Sequence, residues 1–233
     1  MEDSALRIHE IERGVSKVTE ALNQRNPEFA SQVAAMDENV GRLMQKLEDL
    51  GVANETIVIF TSDQGSMCTS RRMVSSQKPY SMGKSFLYEG GIRAPLVVKW
   101  PGQIEASSTN ETVTLNTDLY PTVLDILDLP LRPEQHKDGI SLKPALKGDH
   151  IPFDRVFRWA YPPRHALGHV TSTAIRKGNY KLIYWYRHGG KTELYNVVED
   201  VGESRDLSED MPEKREAMLS ELNEPDYMSP FRP

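Results

Sequence analysis

Between Phe29 and Gln64 the chain spells out an amphipathic helix, a short loop and a buried strand that ends in an acid and an amide. Val33, Met36, Val40, Leu43, Met44, Leu47 and Leu50 recur at steps of three and four, which predicts one apolar stripe on a helix, and Gly51 stands where that helix would stop. The run at 56–61 is then continuously apolar and β-branched, the pattern of a strand covered on both faces in a parallel sheet. Helix, short loop and buried strand make half of a βαβ repeat, so the expected class is α/β. Ligands of open α/β sheets bind beyond the carboxyl ends of the strands, where Asp63 and Gln64 stand. A carboxylate and an amide oxygen are hard ligands suited to Ca²⁺ or Mg²⁺, and Gly65 lets the backbone turn tightly behind them. An Asp after a strand also caps turns, and these three residues alone leave both readings open.

The remaining pattern divides the chain. Residues 62–94 form a long polar segment rich in Ser, Gly and Lys, a length that in compact domains goes with function. A second short strand is expected at 95–99, a helix at 118–130 with Asp118 as its cap, and a turn and short helix at 138–148. Beyond Ile151 the texture changes to three β-like runs, 170–176, 179–186 and 193–197, with Gly178-Asn179 and Gly189-Gly190 between them. That spacing predicts an antiparallel meander, followed by a helix near 211–223. The expected organisation is therefore a poorly assigned segment at 1–26, an α/β portion at 27–150 and a small α+β subdomain with its tail at 151–233. The fold class is α/β: part of a doubly wound, mostly parallel sheet with a small C-terminal antiparallel-sheet subdomain. A net charge of −6 over 233 residues with no basic run argues against nucleic acid as a partner. No apolar run approaches the length of a membrane span. Cys68 is the only cysteine, which rules out an internal disulfide and a thiolate zinc cage.

The segment 82–102, MGKSFLYEGGIRAPLVVKWPG, adds a more specific signal. Ser62-Asp63-Gln64-Gly65, Gly83-Lys84, Glu89-Gly90-Gly91-Ile92-Arg93, Pro95 and Trp100-Pro101-Gly102, in this order and between these strands, resemble the sulfatases of the alkaline-phosphatase superfamily, the type I, formylglycine-dependent kind. The resemblance runs from about residue 28 to about residue 223, through AIRKGNYKLIY and ELYNVVEDVGESRDL. It implies that Asp63 and Gln64 hold a divalent cation, Ca²⁺ before others, and that Lys84 binds the sulfate of a substrate. A fixed cation and an ammonium group suit the negative charge that S–O cleavage spreads over oxygens. The implied partners are a sulfate ester or a sulfated glycan, and the missing N-terminal half of the family fold.

The pattern is also incomplete. The family's early Asp-Asp metal pair, its Cys-x-Pro-Ser-Arg nucleophile motif and its mid-domain His have no counterpart in residues 1–27, so no catalytic residue is assigned. Cys68-Thr69-Ser70-Arg71 echoes the nucleophile motif but has Thr where Pro belongs and follows the metal strand. Gln64 replaces the more usual Asn and carries its oxygen one methylene further out. His165 and His169 are four apart, but Pro162, Pro163 and Gly168 argue against a helix that would pair them as metal ligands. Glu89 and Arg93 are expected to brace the loop against the sheet. Two strands without their neighbours would leave apolar side chains uncovered. Two other readings stand beside the sulfatase one: a two-metal phosphatase or phosphodiesterase of the same superfamily, and a non-catalytic module that binds a sulfated ligand or partner. The first residues, MEDSALRIHEIERG, lack a secretory signal, whereas the family is often periplasmic or secreted.

Overall fold

Asn26 and Pro27 start the first helix for different reasons. The Asn26 side-chain oxygen accepts the Phe29 amide at 2.9 Å, and Pro27 loses nothing at a position whose N–H has no helical acceptor. The computed structural model describes residues 26–67, 75–149, 151, 155–161, 171–186 and 189–222. In chain order its elements are α1 (Pro27–Asp49), β1 (Val58–Thr61), the one-turn α2 (Glu89–Ile92), β2 (Leu96–Lys99), α3 (Leu119–Ile126), α4 (Lys143–Leu146), β3 (Val156–Tyr161), β4 (Ser172–Lys177), β5 (Tyr180–Trp185), β6 (Lys191–Asn196) and α5 (Pro212–Leu222). They fall into two compact units, one of Met1–Asn39, Gln64–Ala94 and Arg155–Pro233, the other of Val40–Asp63 and Pro95–Asp154. Among the described residues no helix is long and apolar enough to cross a membrane.

Gly51, at φ +70°, ends α1 as expected. Its amide bonds Glu48 O at 2.9 Å and the Val52 amide bonds Leu47 O at 3.1 Å, closing the last turn. The apolar stripe of α1 is present, yet none of the helix's residues is buried. Met36 is 48% exposed and Leu43 57%.

In the unit of Val40–Asp63 and Pro95–Asp154, β1 pairs with β2, Val58 opposite Lys99 and Thr61 opposite Leu96. The pairing is antiparallel, whereas the apolar run at 56–61 reads as a strand of a parallel sheet. Continuous apolarity reports burial on two faces and says nothing about the direction of the neighbour; an antiparallel strand beside a parallel set is common in large α/β sheets. Val97 is 60% exposed, so these strands are not covered on both sides here. Asp118 does not cap α3 through its side chain. It is fully buried and staples the surrounding loops, its two carboxylate oxygens accepting the Leu115 amide at 2.7 Å and the Ile140 amide at 3.0 Å. Lys143 supplies the cation at the end of α3, donating to Asp125 O at 2.6 Å.

The other unit holds the four-stranded antiparallel sheet β3-β4-β5-β6. The meander β4-β5-β6 was legible; β3 adds a fourth strand, Val156 opposite Lys177 and Tyr161 opposite Ser172. Side chains alternate between two faces, and both faces are covered. Ile175, Leu182 and Leu194 pack against Met218 and Leu222 of α5. Ala174, Ile183, Trp185 and Tyr195 pack with Leu87, and Phe86, Tyr88 and Ile92 lie against them. The segment carrying the glycine-rich motif is thus one wall of the sheet's core.

Candidate functional site

The turn after β1 and the Gly83–Ile92 segment approach each other at glycine backbones. The Gly65 amide donates to Gly91 O at 2.9 Å and the Lys84 amide to Ser66 O at 3.0 Å. A Cβ at position 65 would stand 1.8 Å from Gly90 O, and one at position 91 would stand 2.0 Å from Phe86 O. Glycine is required at both because carbonyls occupy the space a side chain needs.

Two non-glycine residues on either side of Lys84 adopt the left-handed region, Met82 at φ 56° and Ser85 at φ 76°. Such conformations persist only where the surroundings over-determine them. Here the Gly90 amide bonds Ser81 O at 2.9 Å and the Phe86 amide bonds Gly83 O at 3.1 Å, fixing the loop on both sides of the lysine.

Of the site residues named from sequence, Asp63 is exposed and Gln64 and Lys84 are half-buried. The division between the two units falls at the Asp63–Gln64 peptide bond. Ser62 Oγ donates to Asp63 Oδ1 at 3.4 Å, and Asn116 Nδ2 reaches Ser62 O at 3.4 Å. A carboxylate followed directly by an amide oxygen suits a hard divalent cation in kind and fills only part of its shell. Among the described residues no group of three or more His, Cys, Asp or Glu could hold a metal. Cys68, His165 and His169 lie outside the described residues.

Glu89 and Arg93 brace the loop, as their positions suggested, and the brace is larger than sequence indicated. Glu89 is buried, and its Oε1 accepts Lys181 Nζ of β5 at 2.9 Å. Its Oε2 faces Arg176 Nη1 of β4 at 3.9 Å and Arg93 Nη1 at 3.7 Å. Lys181 is 0% exposed and also pairs with Glu203 Oε1 at 2.6 Å, a contact without hydrogen-bond alignment. Glu203 Oε2 accepts the Glu89 amide at 2.7 Å. Arg176 and Lys181 are cross-strand partners, and like charges so placed repel; the two acids offset them. Burial pushes the Glu203 carboxyl above its ordinary value despite Lys181, and burial lowers the Arg176 guanidinium despite Glu89. Removing one member would leave a buried charge uncompensated, at a cost of about 3–5 kcal/mol.

Lys181 was readable in principle. With period-2 alternation it shares a face with Ile183 and Trp185, so a charge occupies a core position of a strand. Glu203 was hidden in the acidic run at 199–210 and held no such signal. A second latch joins the same segment to β6: Tyr88 Oη donates to Glu193 Oε2 at 2.6 Å, and Tyr195 Oη and Lys191 Nζ donate to the same carboxylate at 3.1 and 2.7 Å. Burial first, then the hydrogen bond to Glu193 and its charge, raises the phenol of Tyr88 well above the ordinary range.

Two family models match the chain. The model for sulfatases matches residues 7–129, and the model described as N-sulphoglucosamine sulphohydrolase, C-terminal, matches residues 80–225. The chain belongs to the sulfatase family. Its α/β fold with a small antiparallel-sheet subdomain is the fold of sulfatase structures. An N-acetylglucosamine-6-O-sulfatase of Bacteroides thetaiotaomicron is 30% identical over 213 residues, covering 87% of this sulfatase chain and 36% of the relative. The crystal structure of Ps i-CgsB in complex with k-i-k-neocarrahexaose has a TM-score of 0.74 at 26% identity, covering 85% of this chain and 42% of that one. BT4656 in complex with its substrate D-glucosamine-2-N,6-O-disulfate has a TM-score of 0.69 at 27% identity, covering 84% and 39%. This sulfatase chain therefore spans little more than a third of the length of the curated relative. Sulfatases are generally metal-dependent.

Proposed function

We propose that this chain contributes Asp63 and Gln64 to a divalent-cation site and Lys84 to sulfate binding, in the hydrolysis of a sulfate ester. The observation that carries the reading is the backbone coupling of the two motifs. Gly65 is bonded to Gly91, and Lys84 is bonded to Ser66, two residues after Gln64. The glycines needed for that approach are those of the motif itself. Strained backbone on both sides of Lys84 supports a role for its placement.

A cation bound at 63 and 64, Ca²⁺ by the hardness of an all-oxygen pair, would supply charge stabilisation to the sulfuryl oxygens. Lys84 acts as a point charge with three donors, held by its own backbone bond and able to orient the sulfate. Gln64 is poorly suited to a transition metal, which disfavours the two-metal phosphatase reading. The neighbour BT4656, solved with its substrate D-glucosamine-2-N,6-O-disulfate, supports a sulfated sugar as the ligand class. The 233 residues hold no Cys-x-Pro-Ser-Arg, so this reading takes the nucleophile from outside them.

The test is a pair of amide-shift titrations of the purified chain by NMR. Calcium is expected to move the amides of residues 63–65, and sulfate those of residues 83–86. Asp63→Ala should erase the first response and Lys84→Ala the second, with the amides of β4 and β5 unmoved. Absence of both responses, or a sulfate response that survives Lys84→Ala, overturns the reading.

A further inference from the structure

A continuous path of polar contacts runs from the start of β5 to the two bonded segments that carry Gln64 and Lys84, all of it inside one unit. Lys181 Nζ holds Glu89 Oε1 at 2.9 Å and pairs with Glu203 at 2.6 Å. Glu203 in turn takes the first amide of α2 at 2.7 Å. At the other side of α2, Gly91 O accepts the Gly65 amide at 2.9 Å, and one residue further Ser66 O accepts the Lys84 amide at 3.0 Å. We propose that Lys181 is a positioning residue, whose buried ammonium group fixes α2 and, through Gly91 and Ser66, the backbone bearing Gln64 and Lys84. The inference deepens the sulfate-binding reading and rests on it for the ligand.

Stability alone does not account for this lysine. Its neighbours on the same face, Ile183 and Trp185, belong to an apolar core, and apolar side chains in place of buried ion pairs are often neutral or stabilising. A charge at that point gives direction instead: the ammonium is met by two acids from separate segments, Glu89 of α2 and Glu203 of the connection after β6. Glu203 itself sits in the left-handed region at φ 51°, as do Met82 and Ser85 beside the anion-binding lysine. Both ends of the path are thus held in conformations that only firm anchoring retains. The small C-terminal subdomain is, on this view, part of the scaffold of the anion site.

Amide hydrogen exchange of the purified chain, read residue by residue, tests the proposal together with sulfate affinity from the Lys84 amide shift. In Lys181→Met, exchange at Gly65 and Lys84 should quicken by about tenfold or more beyond the acceleration that the overall loss of stability brings to Ile175, Leu182 and Leu194 in the sheet. Sulfate affinity should fall by about tenfold in parallel, since a site set loose loses its preorganisation. Lys181→Met combined with Glu203→Gln removes one charge of each sign and keeps an acceptor for the Glu89 amide. Should the single variant fail to fold, the double variant decides by the same contrast. Acceleration spread evenly over turn and sheet, or none at the turn, overturns the inference. If the wild type shows no sulfate shift but the exchange contrast is seen, the reading of Lys84 falls and Lys181's hold on the turn stands. Sulfate binding that is lost in Lys84→Ala but unchanged in the Lys181 variants sinks the inference alone.

Discussion

A methyl group at position 65 has no space to enter. It would meet Gly90 O at 1.8 Å, the carbonyl carbon at 2.8 Å and Gly91 Cα at 3.1 Å, all backbone, and none can swing aside as a side chain would. Gly65→Ala must therefore part the turn from α2 or distort both. Overpacking of this kind costs about 1–3 kcal/mol. Urea unfolding is expected to show that loss, and the sulfate response at residues 83–86 should weaken with it. At Gly102, by contrast, nothing lies within 4 Å of an added Cβ, so any cost of Gly102→Ala comes from its φ of +72° alone. An alanine at 65 as stable as wild type would show that the close approach of the two motifs is unimportant.

Among the elements, the contact between β6 and the Tyr88 segment depends on one carboxylate. Burial pushes Glu193 up, but hydrogen bonds from Lys191 and Tyr88 outweigh it, and its value falls below the ordinary 4.5. A carboxyl lowered on folding contributes stability that is full above its unfolded value and is lost as pH falls through the folded one. Glu193→Gln should therefore cost about 1–2 kcal/mol at pH 7 and progressively less as pH is taken below the ordinary 4.5. Urea midpoints above and below that value would show the gap closing; an equal gap at both refutes the latch. Elements were the most legible scale. The helix at α1, the strands β1 and β2 and the β4-β5-β6 meander follow from local periodicity and turn residues. The edge strand β3 escaped because VFRWAY, at 156–161, lacks clean alternation and is joined to β4 by a long segment and not by a short hairpin turn. The antiparallel pairing of β1 and β2 escaped because direction is set by the path of the chain between them, which periodicity does not record. The motif residues were legible by resemblance, whereas the buried pairing of Lys181 with Glu203 joins residues far apart in sequence and leaves no local trace.

For the molecule as a whole, the exposed faces and the sparse ligand set lead to the same expectation. Met36, Leu43 and Val97 present apolar surface that nothing in this chain covers among the described residues, and the chain spans 36% of a relative's length. Calcium takes about six to eight oxygens, and the proposed site offers the side chains of Asp63 and Gln64. With so few protein donors a dissociation constant of about 1 mM or weaker is expected. At 1 mM calcium such a site adds only about 0.4 kcal/mol to stability. For a chain of this size that moves the unfolding midpoint by about 1–2 °C. Chelation with EDTA is thus expected to be nearly silent in thermal unfolding. The same protein should show no metal-dependent hydrolysis of an aryl sulfate, since Lys84 and a loosely held cation can stabilise a developing charge but attack no sulfur. A midpoint that drops by ten degrees on chelation, or clear turnover restored by calcium, would mean that these 233 residues assemble a complete site, with a nucleophile of a kind the sequence does not display.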